Sequence, residues 1–542
     1  MQDIQGIANF LDDLMGGLQL IAYCIAIGSV LWTLRVLRPA SSDAPPSVHS
    51  IALRLLVRSA WALAITQLVE IVMKGIVIAA TLDELPLAYA GTVQFIAGTV
   101  RILLAIALGA AAGRVARNPR DANAWKTLYG MSVALIVCGA WLVHAVGRFE
   151  YRELLMSITV LHQLAAAVWF GGVAQLVLLW RLSQRDPAAW VFWPQAVARF
   201  SILGIWSVAG LLLSGSVLAW VYVGAWDGLV GTGYGSLVIT KVILLAVALG
   251  LAWLNFRSGK AWKERGDTRD VTTKTPFFIE AESFVLISIL FVAATLSSQP
   301  PAVDIPNLTA TPVEVAQMFM PRIPEMESPS HAELMAGEIG RIAIVNKVPS
   351  VAGAQWSNFN HNTAGIFLTT MGILAMLSYS RRFPWAKYWP AGFVGLAIFL
   401  FFRSDAETWP MGPMGFWEST FGNGEVLQHR MATFLALGLG VMEVKTRARE
   451  NLHQRLIYLF PMLCAFGGIL LLTHAHSEFE LKTEFLIQST HTVMGLLAVL
   501  MATGRWLELR LASPVGRTCG FLSICMMTVI GLNLLFYYEP VW

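Results

Sequence analysis

The chain has 542 residues, of which 56% are hydrophobic and 13% charged, and its mean hydropathy is +0.62. Soluble domains carry roughly 25% charged residues, so this composition excludes an ordinary soluble protein and indicates a chain that lies largely in lipid. The net charge of +4 is concentrated in short loops, which reports membrane orientation and gives no indication of nucleic-acid binding.

Long apolar runs are the dominant feature of the sequence. A bilayer core of about 30 Å needs about 20 helical residues to cross it. We therefore predict an all-α, polytopic transmembrane helix bundle of about 14 helices, with the lipid bilayer as its solvent. The predicted spans are 15–37, 52–80, 92–113, 127–147, 155–180, 199–223, 236–256, 276–298, 361–380, 386–403, 426–444, 455–474, 484–503 and 517–537.

Lysine and arginine are enriched in alternate loops, and the richer set is expected to face the cytoplasm. Examples of that set are 114–120, 257–269 and 445–449. Both termini then lie in the periplasm, which agrees with an even number of spans. The sequence thus predicts a multi-pass protein of the bacterial inner membrane.

One long loop divides the predicted helices. Residues 299–360 are rich in proline and contain methionine, and short helices are expected within this loop at 312–320 and 331–340. We predict an eight-helix N-terminal membrane half at 1–298, a periplasmic loop at 299–360, and a six-helix, histidine-rich C-terminal membrane half at 361–542.

Seven of the ten histidines fall in or beside predicted helices, and the topology places all seven in the periplasmic half. Polar side chains at membrane depth are costly and usually functional, and imidazole is both the commonest metal ligand and an axial ligand of haem. A hydrogen-bonded interfacial histidine is the alternative for each one. The seven are His144, His162, His361, His429, His474, His476 and His491.

Methionine adds a second signal on the same face. The segment 409–417 reads WPMGPMGFW, which places Met411 and Met414 between two predicted helices. Thioether is a soft ligand that selects Cu(I), so methionine beside histidine is what copper handling needs. An interfacial hydrophobic loop is the alternative interpretation.

Three ionisable residues within predicted helices could form a polar pathway. Lys241 begins one helix, and Glu280 and Glu282 lie near the inner end of another. Structural pairing is the default for such residues, and a pathway role is the alternative.

The segment LHQLAAAVWFGGVAQLVLL at 161–179 resembles the histidine-, tryptophan- and glycine-containing helix of the CopD copper-resistance membrane proteins. His162, Trp169 and the pair Gly171–Gly172 carry the match. Later helices are similar too, so that the resemblance covers about 155–301. Lys241, Asn255, Arg257, Glu280 and Glu282 stand at the family's recurrent polar positions.

The C-terminal half resembles the extension of some long CopD-type proteins. The match is carried by His429 within LQHRMATFLALGLGVMEVK and by His474, His476 and His491 within LLLTHAHSEFELKTEFLIQSTHTVMGLLAV. The family usually works with a periplasmic copper carrier of the CopC type. The resemblance therefore implies copper as the bound ion, and such a carrier or another membrane protein as partner.

Three functions fit these features. We expect copper handling at the periplasmic face, with capture by loop Met and His and transfer to membrane-embedded His for transport or delivery, rather than an enzyme. The first alternative is a haem-b or copper redox enzyme of the quinol-linked cupric reductase type, with His144–His162 or His429–His491 as the pair. The second is a structural or assembly subunit of a larger membrane complex.

Overall fold

The computed structural model describes residues 2–38, 44–82, 87–338, 350–380, 382–448, 456–473 and 481–539. Within these ranges the chain is helical, and the β structure is limited to an isolated bridge between Thr408 and Met414. Nine helices of the described part are long and apolar enough to cross a membrane, and Ala391–Arg403 and Leu456–Leu472 are shorter apolar helices. The predicted all-α membrane architecture is confirmed.

Each predicted span coincides with a helix. The first eight are α1 (Gln2–Trp32), α2 (Pro46–Leu82), α3 (Val93–Arg117), α4 (Ala122–Cys138), α5 (Arg152–Ser183), α6 (Pro187–Val223), α7 (Gly233–Arg265) and α8 (Thr275–Ser298). The long loop contains α9 (Pro312–Met318) and α10 (His331–Glu338), as expected. The last six are α11 (Val351–Ser378), α12 (Ala391–Arg403), α13 (Gly424–Ala448), α14 (Leu459–Leu472), α15 (Leu481–Arg510) and α16 (Val515–Leu535).

Several predicted boundaries are wrong: α1 begins at Gln2 and α6 at Pro187, more than ten residues before the predicted starts. Two further errors concern segments that carry histidine. The span at 127–147 ends early, because α4 stops at Cys138 and 3-10 turns follow at Gly139–Trp141 and His144–Gly147. The span at 361–380 begins too late, because α11 starts at Val351 with Ser350 as its N-cap, whose side chain accepts a hydrogen bond from the backbone of Gly353. A serine N-cap satisfies an amide that the helix itself cannot. His361 therefore lies nearly three turns inside the helix and does not open it.

The chain forms two compact units. The N-terminal unit comprises Asp12–Gly224 and Val242–Ser298, and the C-terminal unit comprises Met1–Leu11, Ala225–Lys241 and Gln299–Trp542. In the N-terminal unit α5 packs on α6 and on α8, and α2 packs on α3. In the C-terminal unit α16 packs on both α11 and α15, while α13 packs on α12 and α14.

Small residues set the closest helix crossings. A Cβ atom on Gly171 of α5 would lie 2.6 Å from the Cα atom of Gly28 on α1, and one on Gly365 of α11 would lie 2.2 Å from the backbone nitrogen of Leu535. Glycine lets membrane helices approach closely enough for extensive van der Waals contact. The crossing at Gly365 brings the N-terminal half of α11, which carries His361, close to the end of α16.

Candidate metal site

Two of the predicted histidines meet in the C-terminal unit. The ring centres of His361 on α11 and His491 on α15 are 5.6 Å apart, with the rings nearly perpendicular. Tyr537, just after α16, stacks on His361 at 3.9 Å and meets His491 edge-on at 5.9 Å. Imidazoles that share one metal through nitrogens about 2.0 Å from it have ring centres roughly 5–6 Å apart. The distance between the two ring centres falls within this range.

Backbone hydrogen bonds determine which nitrogen of each ring can bind an ion. Nδ1 of His361 lies 2.8 Å from the carbonyl oxygen of Ser357, and Nδ1 of His491 lies 3.2 Å from that of Ile487. A carbonyl only accepts, so in both rings Nδ1 is the donor, and in the neutral ring the lone pair is on Nε2. Metal-binding histidines typically donate their other ring nitrogen to a carbonyl or carboxylate in this way.

His429, near the start of α13, is held by a carboxylate. Its Nδ1 is 2.7 Å from Oδ1 of Asp405, and it is close enough to His361 and His491 to interact electrostatically with both. Burial acts to raise the pKa of Asp405, but the charge and hydrogen bond of His429 outweigh it, so that the carboxyl pKa lies below its ordinary value. Asp405 is therefore ionised at neutral pH and orients the imidazole of His429.

The predicted methionine segment folds into a turn beside His429. Trp409 donates to the carbonyl of Met414, Met414 donates to that of Glu407, and Met411 donates to that of Thr408. The neighbour of His429, Arg430, anchors the turn through a bond from Nη2 to the carbonyl of Trp409 at 2.9 Å. Met411 and Met414 remain 42% and 40% exposed, so their thioethers are accessible on a fixed turn.

The long loop packs over the helix ends near the histidines. The backbone of Glu325 donates to Oδ1 of Asn362, the residue after His361, at 2.6 Å. Arg322 lies 4.1 Å over the ring of Tyr538, and the side chain of His331 contacts the carbonyl of Ala406 at 3.0 Å. The loop is thereby tied to the segments that carry His361, Tyr537 and Asp405.

The described residues alone do not provide the three or more ligands of a conventional metal site. Within the described ranges, no three side chains of the His, Cys, Asp and Glu types are placed to hold one metal ion. The predicted ligands His474 and His476 lie outside the described residues. The structure thus brings His361 and His491 into contact, places His429 nearby, and positions Met411 and Met414 on the adjoining turn.

The N-terminal unit holds His162 differently. Nδ1 of His162 on α5 lies 3.0 Å from Oγ of Ser214 on α6, and that hydroxyl donates to the carbonyl of Gly210. Since the hydroxyl proton is used there, His162 donates through Nδ1. His144 begins a 3-10 turn that packs against α5, and its side chain is outside the described set. Neither the described residues nor the comparisons below support haem b.

Of the predicted polar pathway, Glu282 has the clearest surroundings. This carboxyl on α8 is 2% exposed and accepts bonds from Nε1 of Trp169 at 2.6 Å and from Nδ2 of Asn255 at 2.8 Å. Glu280 is also buried, and Lys241 lies in the first third of α7, whereas Asn255 lies in its last third. The carboxyl of Glu282 joins α5, α7 and α8 at positions that the family resemblance had singled out.

Sequence reasoning missed several residues of the histidine site. Tyr537 contacts both rings, Asn362 donates to the carbonyl of Tyr537 at 3.0 Å, and Arg430 anchors the methionine turn. The arginine and the asparagine carried a usable signal, because polar side chains within apolar helices are uncommon without a role. Nothing in the local sequence distinguished Tyr537 from other interfacial aromatics.

Comparisons with known proteins support the family resemblance. Residues 194–296 match the family described as Copper resistance protein D (CopD). The "Copper transport protein CutJ" of Bacillus subtilis (strain 168) is 28% identical over 166 residues, which are 31% of this chain and 29% of that protein. No solved structure matches the chain.

The family match covers α7, α8 and all but the first turns of α6. It is narrower than the predicted resemblance at 155–301, so that the helix carrying His162 and the whole C-terminal unit beyond residue 296 lie outside it. Residues 194–296 of this polytopic membrane protein are thus similar to the CopD family, and this stretch is called the CopD-like region below.

Proposed function

We propose that this protein handles copper at the periplasmic face of the bacterial inner membrane. Exposed Met411 and Met414 capture the ion, and the imidazoles of His429, His361 and His491 receive it for transport or for delivery to another protein. His474 and His476 are proposed as further ligands. The observation that carries the proposal is the contact between His361 and His491, both with Nδ1 used by the backbone.

The chemistry of these groups suits copper more than harder ions. Thioether and imidazole are ligands that Cu(I) accepts, whereas Mg²⁺ and Ca²⁺ require oxygen. The relative named as a copper transport protein and the CopD-like region support the same ion. A CopC-type carrier or another membrane protein is the exchange partner that the family resemblance implies. Lys241, Glu280 and Glu282 remain a predicted polar pathway of the CopD-like half.

The test is copper binding by the full chain purified in detergent under anaerobic, reducing conditions. Copper content and Cu(I) affinity are measured for the wild type, for His361→Ala/His491→Ala, and for the control His49→Ala. His49 is a suitable control because it lies in a predicted cytoplasmic segment, where its Nδ1 contacts the carbonyl of Pro45. A visible spectrum is recorded for each sample.

We expect near-stoichiometric copper in the wild type and the control, and loss of at least one equivalent in the double variant. Absence of copper from the wild type, or equal copper in all three proteins, would contradict the proposal. A Soret band with split reduced α-bands would favour the b-type redox enzyme instead.

A further inference from the structure

Helices α11 to α16 pack around a closed ring. α11 packs on α16, α16 on α15, α15 on α14, α14 on α13, α13 on α12, and α12 again on α11. Towards one end, this six-helix ring holds the contact between His361 and His491. At the other end it holds a small cleft. The groups that line this cleft determine whether a copper ion could leave the ring there.

The cleft lies at the ends of α13 and α15 that are remote from the histidines. It is lined by residues of α13, α14, α15 and α16 and by Trp389, just before α12, which places it between the helices of the ring. From His491 to Arg505 α15 rises by roughly 21 Å. From His429 to Arg447 α13 rises by roughly 27 Å. The charge pattern predicts that this end faces the cytoplasm.

The charges that face the cleft disfavour a cation. Among the described residues that line it are two guanidinium groups, those of Arg447 and Arg505, and one carboxylate, that of Glu508. The buried carboxylate of Glu443 lies outside the lining and is already bound to Arg447 at 2.9 Å and to Arg505 at 2.7 Å. The lining therefore carries an excess of positive charge, which repels a cation most strongly where water is scarce.

Unused hydrogen-bond donors in the lining act in the same direction. Within the part of the chain that the structure describes, Nε of Arg505 and Nε1 of Trp389 are buried and have no acceptor. N–H groups of this kind bind lone pairs and offer none to a metal ion. The cleft has room for about one water molecule, so that a hydrated ion does not fit.

Apolar side chains separate the cleft from the histidines. Met494, one turn beyond His491 on α15, packs with Ile530 of α16, and Leu368 of α11 and Leu471 of α14 contact the same buried cluster. A charge at membrane depth is costly unless polar groups or water accompany it. This cluster therefore adds an apolar layer to the positively charged lining.

Bonds between helices hold the cleft end together. Arg505 on α15 binds Glu443 on α13, and the hydroxyl of Tyr379, just after α11, donates to Glu508 on α15. Arg517 on α16 donates to the carbonyl of Tyr379 at 3.0 Å. Four helices of the ring are thus tied to one another at the end that carries the cleft.

We propose that the arginine-lined end closes the six-helix ring to copper, so that the His361–His491 pair exchanges copper only at the histidine end. This inference rests on the proposed function and decides between its two alternatives for this part of the chain. The ring takes up copper and delivers it on the periplasmic side, and it does not conduct the ion to the cytoplasm.

The test compares the two faces of the membrane. Right-side-out and inside-out membrane vesicles are prepared from bacteria that produce the full chain and grow with copper. A membrane-impermeant Cu(I) chelator is added outside under anaerobic, reducing conditions, and detergent is added at the end to release the copper that remains. Vesicles with the His361→Ala/His491→Ala variant give the background, so that the difference reports copper bound at the pair.

A single substitution tests the role of the arginines. Arg505→Gln removes one guanidinium group from the cleft, and both carboxylates that bind it keep a partner, since Arg447 and Tyr379 each still bind one of them. Lys445→Gln is the matched control, because it removes a positive charge from an exposed position at the same end of α13 that does not line the cleft.

We expect the chelator to remove the copper of the pair from right-side-out vesicles, and to remove it from inside-out vesicles at least about tenfold more slowly. Arg505→Gln should raise the inside-out rate several-fold, and Lys445→Gln should leave it unchanged. Equal rates in both kinds of wild-type vesicle would overturn the inference, while the proposed function stands. An unchanged inside-out rate in Arg505→Gln would overturn the role of the arginines. If even detergent releases no copper that depends on the pair, the proposed function itself fails.

Discussion

The CopD-like region and the C-terminal unit both bury polar side chains, but they use them in different ways. In the CopD-like region the carboxyl of Glu282 accepts bonds from the neutral donors of Trp169 and Asn255, and joins three helices. In the C-terminal unit His361 and His491 meet around Tyr537, beside a turn with exposed methionine. The residues that resemble the CopD family and the proposed copper ligands therefore lie in different parts of the chain. The family resemblance does not by itself locate the proposed copper site.

The largest difference should appear when a buried carboxylate is removed from each region. Glu443→Ala leaves Arg447 and Arg505 without their shared carboxylate, and breaking a buried ion pair costs about 3–5 kcal/mol. Glu282→Gln should cost about 1 kcal/mol or less. The oxygen of the new glutamine amide still accepts from Trp169. Oδ1 of Asn255 has no partner among the described residues. After the Asn255 amide rotates, this oxygen can accept from the nitrogen of the new glutamine amide.

Denaturant unfolding of the full chain in mixed micelles measures both free energies. A smaller loss of stability for Glu443→Ala than for Glu282→Gln would mean that the carboxylate of Glu443 is not the structural tie between α13 and α15. Glu508→Gln, which leaves Glu443 in place, separates the contributions of the two carboxylates that bind Arg505.

The asparagines of α11 show what the sequence could and could not reveal. The segment 356–362 reads WSNFNHN, and its polarity led the prediction to begin the span only at 361. In the structure Asn358, Asn360 and Asn362 are buried and bonded to the backbone at Glu539, Arg403 and Tyr537 respectively. Hydropathy identifies residues that prefer lipid, but it does not register polar side chains that are satisfied by neighbouring helices.

The sequence predicts a common depth for the histidines, but it did not predict which of them meet. Charge bias and apolar length predict that His361, His429 and His491 lie on one side of the membrane. The haem alternative had paired His429 with His491, whereas the ring contact joins His361 to His491, 130 positions apart in the sequence. Such a contact follows from helix packing, which the periodicity of a single helix does not encode.

The next largest effect concerns the carboxylate that orients His429. Asp405→Asn removes the charge beside Nδ1 and keeps the side-chain size. Loss of a carboxylate that hydrogen-bonds a metal-binding histidine typically lowers metal affinity about 10–100-fold. We expect the Cu(I) affinity of the full chain to fall by about tenfold with little change in unfolding. Chelator competition measures the affinity. The control is Glu425→Gln, which changes a carboxylate in the first turn of α13, the helix that carries His429. Unchanged affinity would remove His429 from the copper ligands.

A smaller effect is expected from the exposed methionines. Met411→Leu/Met414→Leu keeps the turn, because its hydrogen bonds are made by the backbone, but it removes both thioethers. If these residues only capture copper, the rate of copper loading at limiting Cu(I) should fall several-fold while the final stoichiometry is unchanged. Stopped-flow transfer from a Cu(I)–chelator complex measures the rate, with Met462→Leu, also exposed but in the first turn of α14, as control. A reduced stoichiometry would instead make the two methionines part of a permanent site.

The smallest effect should be a pH dependence of the long loop. The hydrogen bond from Lys482 and the amide of Thr311 lower the pKa of Glu314 to about 2. Because this folded-state pKa is below the ordinary value of about 4.3, the stabilisation is present above that value and is lost as the pH falls towards 2. An exposed ion pair contributes at most about 1 kcal/mol, and Glu314→Gln should remove that contribution at neutral pH while the glutamine still accepts from the N-cap amide.

Hydrogen exchange of 310–320 measures this loss of local stability, in the wild type, in Glu314→Gln and in the control Glu333→Gln. Faster exchange in the first variant alone would show that the pair holds α9 on α15, and equal exchange would assign that contact to the packing of Met318 against Phe485.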